Sequence, residues 1–232
     1  MVGMYFVPGG SCRTFHAIRQ TVIFFLLYCT LLIPAAAQDI NPEETPSDPV
    51  QMRKLFLPEK LKPFADGDMF LPISPDSSVP TAEYLRSCVE LLQINAGSTV
   101  LVLGRAIGYS ASYIALSAEK VYAAEQDPSM DELNRGVWSR LGFSNIVPVL
   151  YPDFFTPQET EELDGILIHG IVQEIPPLLS NALAPGGILL APMSNRREVQ
   201  MMMKVKKENN GFSISSEDLS FFPNRPLNLF AQ

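Results

Sequence analysis

Two glycines and an acid are the residues of this chain whose types and spacing best fit a chemical role. The glycines enclose the turn Gly104-Arg-Ala-Ile-Gly108, which follows an apolar run, and Glu125 ends the next apolar run 21 residues after Gly104. Glycine lets a backbone approach a ligand closely and leaves the N–H groups of a following helix free to donate. An acid about 20 residues further on typically accepts hydrogen bonds from a ribose diol. The spacing predicts a site for a nucleotide-like ligand, with a purely structural turn and a solvent-exposed Glu125 as the alternatives.

Three further polar residues lie at the ends of predicted strands. Asp153 follows the third strand and His169 ends the fourth, so both lie at the carboxyl ends where parallel strands face a ligand crevice. We expect Asp153 to meet the amino group of an adenine, and His169 either to face the crevice or to pack inside the protein. Asp164 begins the fourth strand and is expected to cap the opposite edge of the sheet.

The elements that must position these residues alternate between strands and helices. Apolar runs bounded by turn residues predict the strands, and apolar residues at helical spacing predict the helices between them. The predicted strands are Thr99–Leu103, Lys120–Ala124, Asn145–Leu150, Gly165–Ile168 and Ile188–Ala191, and the predicted helices are Pro80–Leu92, Tyr109–Ala118, Ser129–Leu141 and Pro176–Leu183. This alternation predicts an α/β fold with a doubly wound, mostly parallel sheet.

The C-terminal part of the chain follows a different pattern. Apolar and polar residues alternate with period two over Val199–Val205, which indicates a half-buried strand, although a helix over Glu198–Lys207 is the alternative. Asn209-Asn-Gly211 is typical of a tight turn between antiparallel strands, and Phe212–Ile214 and Leu219–Phe222 follow as further strand segments. The sequence predicts that the sheet ends in a C-terminal antiparallel hairpin.

Composition limits the classes of partner. The chain has 232 residues, of which 47% are hydrophobic and 18% charged, and a formal net charge of −8. Phosphate neutralisation by basic residues supplies most of the affinity of nucleic-acid-binding proteins, so we expect no nucleic-acid partner. After residue 37 the chain carries one histidine, His169, and one cysteine, Cys88, so neither a zinc site nor an intrachain disulfide is expected.

The N-terminal residues resemble an export signal. Arg13, His16 and Arg19 precede the apolar run Val22–Ile33, and Ala35-Ala-Ala37 offers a small-residue cleavage site. The run is shorter than the roughly 20 residues of a spanning helix, so we expect this segment to be cleaved. A retained membrane anchor is the alternative. We expect a signal peptide over residues 1–37, a flexible Pro- and acid-rich leader over 38–51 and one domain over 52–232. The mature protein would then be periplasmic or extracellular, without stable membrane insertion.

Several motifs occur in the order found in one enzyme family. They are Ser78-Val-Pro80, Val100-Leu-Val-Leu-Gly-Arg-Ala-Ile-Gly-Tyr109, Leu141-Gly-Phe-Ser-Asn145, Glu174-Ile-Pro-Pro177, Leu183-Ala-Pro-Gly-Gly-Ile-Leu-Leu-Ala-Pro192 and Phe221-Phe-Pro223. With these motifs the chain resembles the protein-L-isoaspartate O-methyltransferases, a branch of the Rossmann-like methyltransferases that use S-adenosylmethionine. The resemblance covers about Met52 to Pro226.

The resemblance implies a cofactor, a substrate and a set of site residues. It implies methyl transfer from S-adenosylmethionine to isoaspartyl carboxylates in proteins or peptides. Ser78 would be the catalytic residue near the substrate carboxylate, and the cofactor pocket would be lined by Gly104, Ala106, Gly108, Glu125 and Asp153.

The chain departs from the family pattern around the cofactor loop. Val102 stands where the family has an acid, Ala106 replaces the middle glycine, Ile107 replaces a small residue, and Arg105 adds positive charge beside a cationic sulfonium. These departures leave two hypotheses: an exported isoaspartate-type methyltransferase, or a catalytically silent methyltransferase fold that serves as an extracytoplasmic interaction module. A nicotinamide-dependent dehydrogenase is a third hypothesis, and it ranks below these two because the C-terminal hairpin favours the methyltransferase topology.

Overall fold

In the computed structural model, the described residues are 48–150, 162–194, 200–217 and 219. All of them belong to one compact unit, Asn41–Gln232. The helices are α1 (Pro49–Lys54), α2 (Ala82–Leu92), α3 (Gly108–Ala115), α4 (Pro128–Arg140) and α5 (Pro177–Asn181), with a 3₁₀ helix at Glu59–Phe64. The strands are β1 (Leu71–Ser74), β2 (Ser77–Val79), β3 (Thr99–Gly104), β4 (Lys120–Glu125), β5 (Ile146–Leu150), β6 (Leu163–His169), β7 (Leu183–Ser194), β8 (Gln200–Glu208) and β9 (Gly211–Glu217).

The main sheet confirms the predicted doubly wound architecture. Its strand order is β5-β4-β3-β6-β7-β8-β9, and neighbouring strands from β5 to β7 pair in parallel. The chain starts the sheet at β3, builds outward through β4 and β5, and then returns to the other side of β3 with β6. The carboxyl end of β3 is therefore the topological switch point, where open α/β sheets bind ligands.

The C-terminal part forms the antiparallel hairpin that the sequence predicts. β8 pairs antiparallel with β7 and β9, and Glu208 faces Gly211 across a two-residue turn. The helix considered over Glu198–Lys207 is wrong for the described residues, because Gln200–Glu208 is a strand. Its period-two pattern places Met202 and Val205 on opposite faces, and each is buried there.

Two apolar clusters pack on the two faces of the sheet. Val100 and Val102 lie in one cluster with apolar residues of α2, α3 and α4, whereas Leu101 and Leu103 lie in the other with Leu179 of α5. Because successive side chains of a strand point to opposite faces, an unbroken apolar run is what a strand covered on both faces requires. This accounts for the sequence of β3.

The N-terminal part of the domain contains elements that the sequence analysis does not predict. α1 begins at Pro49, capped by the Asp48 carboxylate, so this helix includes Pro49, Val50 and Gln51, which the sequence analysis assigns to the leader. β1 and β2 form a separate two-stranded antiparallel sheet in which Pro72 faces Ser78. These short strands carry no periodic signal long enough to be recognised.

One buried arginine ties this N-terminal part together. Arg53 is 1% exposed, and its guanidinium donates to the carbonyls of Ala65, Gly67, Met69 and Val79. These bonds join α1 to the loop after the 3₁₀ helix and to the end of β2. Among the residues that the structure describes, no helix is long and apolar enough to cross a membrane.

Several predictions fall outside the described residues. The signal peptide, the leader up to residue 47, the segment with Asp153 and the Phe221-Phe-Pro223 motif lie there.

Candidate functional site

The loop between β3 and α3 lies at the switch point, and its first glycine is required by the fold. Gly104 has φ of +146°, and a Cβ atom at this position would collide with the carbonyl oxygen of His169. Glycine allows both the backbone conformation and the close approach. Gly104 thus brings the loop directly against the end of β6.

Gly108 has a different role from the ligand approach that the loop pattern suggests. A Cβ atom there would collide with Oδ1 of Asn134 and would lie 2.7 Å from Cδ1 of Phe56. The glycine therefore lets the first turn of α3 pack closely against α4 and the N-terminal segment. Trp138 Nε1 completes this contact by donating to the Gly108 carbonyl over 3.2 Å.

Ala106 holds a backbone conformation that favours glycine. Its φ is +54° and the residue is 2% exposed. The left-handed region costs an L-residue with a Cβ atom about 1–2 kcal/mol. The loop has therefore kept the conformation of a glycine position although the glycine is absent.

Glu125 is buried, so the solvent-exposed alternative is wrong. The residue is 3% exposed, and its carboxylate accepts hydrogen bonds from the N–H of Ile107 (3.0 Å) and of Asp127 (3.2 Å). The side-chain amide of Asn134 donates to the same carboxylate at 3.4 Å. Burial raises the pKa of Glu125 to about 7, although hydrogen bonds from the backbone of Ile107, Asp127 and Ala106 oppose the shift. Glu125 therefore titrates near neutral pH and links the end of β4 to the cofactor loop.

Arg105 points towards the β1–β2 hairpin. Its Nη1 lies 3.5 Å from Oδ2 of Asp76, in the turn of that hairpin, and the two side chains are 45% and 39% exposed. The ion pair brings the hairpin that carries Ser78 next to the cofactor loop. Ser78 itself is buried in β2, with 1% of its surface exposed.

His169 lies at the carboxyl end of β6, beside the same loop. Its Nδ1 lies 2.8 Å from the carbonyl oxygen of Arg105, and the residue is buried, with 3% of its surface exposed. Burial lowers the pKa of His169 to about 4, although the hydrogen bond to Arg105 opposes the shift. The imidazole is therefore neutral at physiological pH.

Asp164 and Val102 both lie away from the crevice. Asp164 accepts from the N–H of Thr99 over 2.8 Å, at the amino ends of the strands, so the prediction that it caps the edge opposite the crevice is confirmed. Val102 is fully buried in the apolar cluster. Among the described residues, no group of three or more His, Cys, Asp or Glu side chains could hold a metal ion.

The structure thus places Glu125 against the loop that contains Gly104, Ala106 and Gly108. Ser78 lies in the hairpin whose Asp76 pairs with Arg105 of this loop, and Asp153 lies outside the described residues. It adds two residues that the sequence analysis did not place in the site, Asp76 and Asn134. Asp76 could have been considered from the sequence, because it lies two residues before Ser78 and its charge is opposite to that of Arg105. Asn134 carried no local signal, because its contact with Glu125 depends on how α4 packs.

Comparison by sequence with known proteins gives one family. The family model for protein-L-isoaspartate(D-aspartate) O-methyltransferase matches residues 50–223. A protein-L-isoaspartate O-methyltransferase of Methanococcoides burtonii is 33% identical over 162 residues, which are 68% of this chain and 79% of that protein. Another, from Desulfosudis oleivorans, is 32% identical over 168 residues, 72% of this chain and 74% of the relative.

Two solved structures share the fold. One is a protein-L-isoaspartate O-methyltransferase with a TM-score of 0.68 and 19% identity, covering 91% of this chain and 67% of the other. The second is a protein from Plasmodium falciparum, described as a putative protein-L-isoaspartate O-methyltransferase in complex with S-adenosyl-L-homocysteine. It has a TM-score of 0.58 and 16% identity, covering 85% of this chain and 93% of its own.

Proposed function

The chain belongs to the protein-L-isoaspartate O-methyltransferase family, and from this membership we propose that it transfers a methyl group from S-adenosylmethionine to isoaspartyl carboxylates of proteins or peptides. One observation carries the proposal: the family match runs over residues 50–223 and so includes the Ser78 hairpin, the cofactor loop and Glu125. This favours the methyltransferase over the silent interaction module and over the dehydrogenase.

The residues at the switch point fit S-adenosylmethionine. Glu125 is a buried acceptor at the end of β4, where a ribose diol can donate to it. The positive charge of Arg105, unfavourable beside a sulfonium, has the Asp76 carboxylate as its partner. We assign the ribose to Glu125 and the approach of the ligand backbone to the loop from Gly104 to Gly108.

The chemistry needs positioning more than proton transfer. When bound, S-adenosylmethionine supplies an electrophilic methyl group on a sulfonium. This methyl group would be transferred to an oxygen of the isoaspartyl carboxylate, and the electron pair of the broken carbon–sulfur bond would remain on sulfur. The carboxylate is already ionised at neutral pH, so no general base is required.

The task of this chain is to align the two reactants and to exclude water from them. We assign Ser78 to the substrate carboxylate, because the Arg105–Asp76 pair and the Arg53 bonds hold its hairpin beside the loop.

A methyl-transfer assay tests the proposal. Purified protein should transfer labelled methyl groups to an isoaspartyl peptide and not to the matched aspartyl peptide. Glu125→Ala should lower the transfer rate at subsaturating cofactor by tenfold or more, because a buried acceptor for the ribose is lost. Asp164→Asn removes a carboxylate at the opposite edge of the sheet and serves as the matched control. Absence of transfer at saturating cofactor, with folded protein, would exclude the activity.

We also propose that the protein is exported and acts in the periplasm or outside the cell. The support is the arrangement of Arg13, Arg19, the apolar run Val22–Ile33 and Ala35-Ala-Ala37. Mass spectrometry of the N-terminus, after expression in the native host and fractionation, tests this. A mature chain that starts at Gln38 in the soluble extracytoplasmic fraction is expected. An intact N-terminus in the membrane fraction would instead indicate the anchor.

A further inference from the structure

Three residues lie in one row across the switch point. Gly104 of β3 is in register with Glu125 of β4 on one side and with His169 of β6 on the other. Neighbouring strands are about 4.8 Å apart, so the ends of the row are about 10 Å apart. A ligand that is held by its ribose at Glu125 and extends over Gly104 would therefore reach the position of His169.

The hydrogen bonding of His169 fixes which of its nitrogens is available. The Arg105 carbonyl can only accept, so Nδ1, 2.8 Å away, carries the proton and donates. In the neutral ring Nε2 is then a bare acceptor. Nε2 is buried and has no hydrogen-bond partner among the described residues. A buried acceptor without a donor is costly, and such an atom at a ligand crevice indicates that the ligand supplies the donor.

The cofactor has one end that suits this acceptor. Its amino-acid end carries a carboxylate and an ammonium, and the N-terminus of α3 in the loop favours the carboxylate. The ammonium then falls on the β6 side, where Nε2 of His169 is a buried acceptor without a partner among the described residues. A carboxylate from β3 is not available to it, because that position is Val102, inside the apolar cluster.

On these grounds we propose that Nε2 of His169 accepts a hydrogen bond from the ammonium of the cofactor's amino-acid end and so replaces the acid that this chain lacks at Val102. The proposal rests on the proposed function. Nε2 is buried in the structure, so this contact requires the groups that cover it to shift when the ligand binds. A neutral imidazole suits a cationic donor, and the low pKa of His169 keeps the ring neutral.

Two ligands that differ only at the amino-acid end test the proposal by calorimetric titration of the full chain. S-adenosylhomocysteine carries the ammonium and carboxylate, whereas 5′-methylthioadenosine lacks both. His169→Asn keeps an amide donor near the position of Nδ1 and removes Nε2. His169→Gln places an amide oxygen within reach of the Nε2 position.

The expected result is a difference between the two ligands. His169→Asn should weaken S-adenosylhomocysteine binding by tenfold or more and change methylthioadenosine binding less than twofold, and His169→Gln should recover part of the loss. An equal loss for both ligands would show a structural role or an adenine contact and would overturn the proposal. Unchanged binding of S-adenosylhomocysteine would also overturn it. If the wild-type protein bound neither ligand, the proposed function would fail as well. If it bound both ligands and His169→Asn bound them equally well, only the role of His169 would fail, so the two failures are distinguishable.

A measurement on the wild-type chain does not depend on how the variants fold. The chain has only two histidines, His16 and His169, so the imidazole ¹⁵N signals can be assigned with His16→Asn. The Nε2 signal of His169 should start in the range of a bare acceptor and shift when S-adenosylhomocysteine is added. It should not shift with methylthioadenosine. A signal that responds equally to both ligands, or to neither, would overturn the proposal.

Discussion

The carboxylate of Glu125 accepts a hydrogen bond from the N–H of Ile107 over 3.0 Å, and this bond joins the end of β4 to the loop after β3. The same carboxylate is the group that we assign to the ribose. Glu125 therefore shapes the loop between β3 and α3 and, in the proposed site, also accepts from the ribose of the cofactor. Both roles need its ionised form, and burial opposes ionisation.

The first prediction is that ligand affinity depends on pH through Glu125. With a pKa of about 7, the ionised fraction rises about tenfold between pH 6 and pH 8. The affinity for S-adenosylhomocysteine should rise over this range by up to about tenfold, and calorimetry at a series of pH values measures it. Asp127, the charged neighbour of Glu125, has its pKa lowered by hydrogen bonds from Ser129 and stays ionised throughout.

The profile should become flat in Glu125→Gln. Asp164→Asn, which loses a carboxylate at the other edge of the sheet, should keep the wild-type profile. A pH dependence that survives in Glu125→Gln would assign the titration to another group.

The second prediction concerns the strained loop residue. Ala106→Gly should raise the free energy of unfolding by about 1 kcal/mol, because the relief at φ of +54° exceeds the entropy that glycine adds to the unfolded chain. It should also strengthen S-adenosylhomocysteine binding several-fold, since the loop loses a buried methyl group. Urea unfolding and calorimetry measure the two effects.

Gln93→Gly is the matched control for Ala106→Gly. Gln93 has φ of +58° at the C-terminus of α2, so its replacement should stabilise the protein similarly and leave ligand affinity unchanged. A gain in affinity for both variants would mean that global stability, not the loop, limits binding.

Local patterns were sufficient for the sheet and for part of the site. The apolar run of β3 and the spacing to Glu125 depend on residues that are close in sequence, and both led to the observed positions. The contacts of Arg53 join residues up to 26 positions apart, and the Arg105–Asp76 pair links two separate elements. Such contacts depend on the three-dimensional arrangement, so no periodicity reveals them.

Gly108 shows the same limit from the opposite side. The pattern assigned it to ligand approach, whereas the structure uses the missing Cβ for packing against Asn134 and Phe56. A glycine in a loop motif indicates that some group comes close, and the sequence does not say which.

The third prediction separates the charge of Arg105 from its packing. Asp76→Asn removes the partner of Arg105 and should weaken binding of S-adenosylmethionine relative to S-adenosylhomocysteine by a few-fold, because only the former carries a sulfonium. Arg105→Gln should change this ratio in the opposite direction. Both side chains are about 40% exposed, so the effects are small and should diminish in high salt.

Competitive binding assays with both ligands, at low and high salt, measure the ratio. Arg86→Gln, on the exposed face of α2, is the control and should leave it unchanged. Equal changes for the two ligands in Asp76→Asn would indicate that the pair acts through loop geometry and not through charge.

The fourth prediction concerns the buried arginine. Arg53→Lys should lower the free energy of unfolding by about 2–4 kcal/mol, because an ammonium cannot reach four carbonyls in the fixed geometry of a guanidinium. The KM for an isoaspartyl peptide should rise more than the KM for the cofactor, since the Val79 carbonyl anchors the Ser78 hairpin. Arg86→Lys is the exposed control, and a destabilisation below 1 kcal/mol in Arg53→Lys would contradict the anchoring role.

The fifth prediction is that Glu125 and His169 tilt the pH dependence of stability in opposite directions. The pKa of His169 falls from its ordinary value of 6.5 to about 4 on folding. The unfolded chain therefore binds a proton at a higher pH than the folded protein, and stability is lost as pH falls from 6.5 to 4. The pKa of Glu125 rises from 4.5 to about 7, so stability is lost as pH rises from 4.5 to 7. Each effect is at most about 3 kcal/mol.

Urea unfolding between pH 4.5 and 7.5 should therefore show that His169→Asn loses stability with rising pH relative to wild type, and that Glu125→Gln gains it. Other groups, such as Asp127, act alike in all three proteins and cancel in the differences, so parallel profiles would show that neither group titrates as its burial requires.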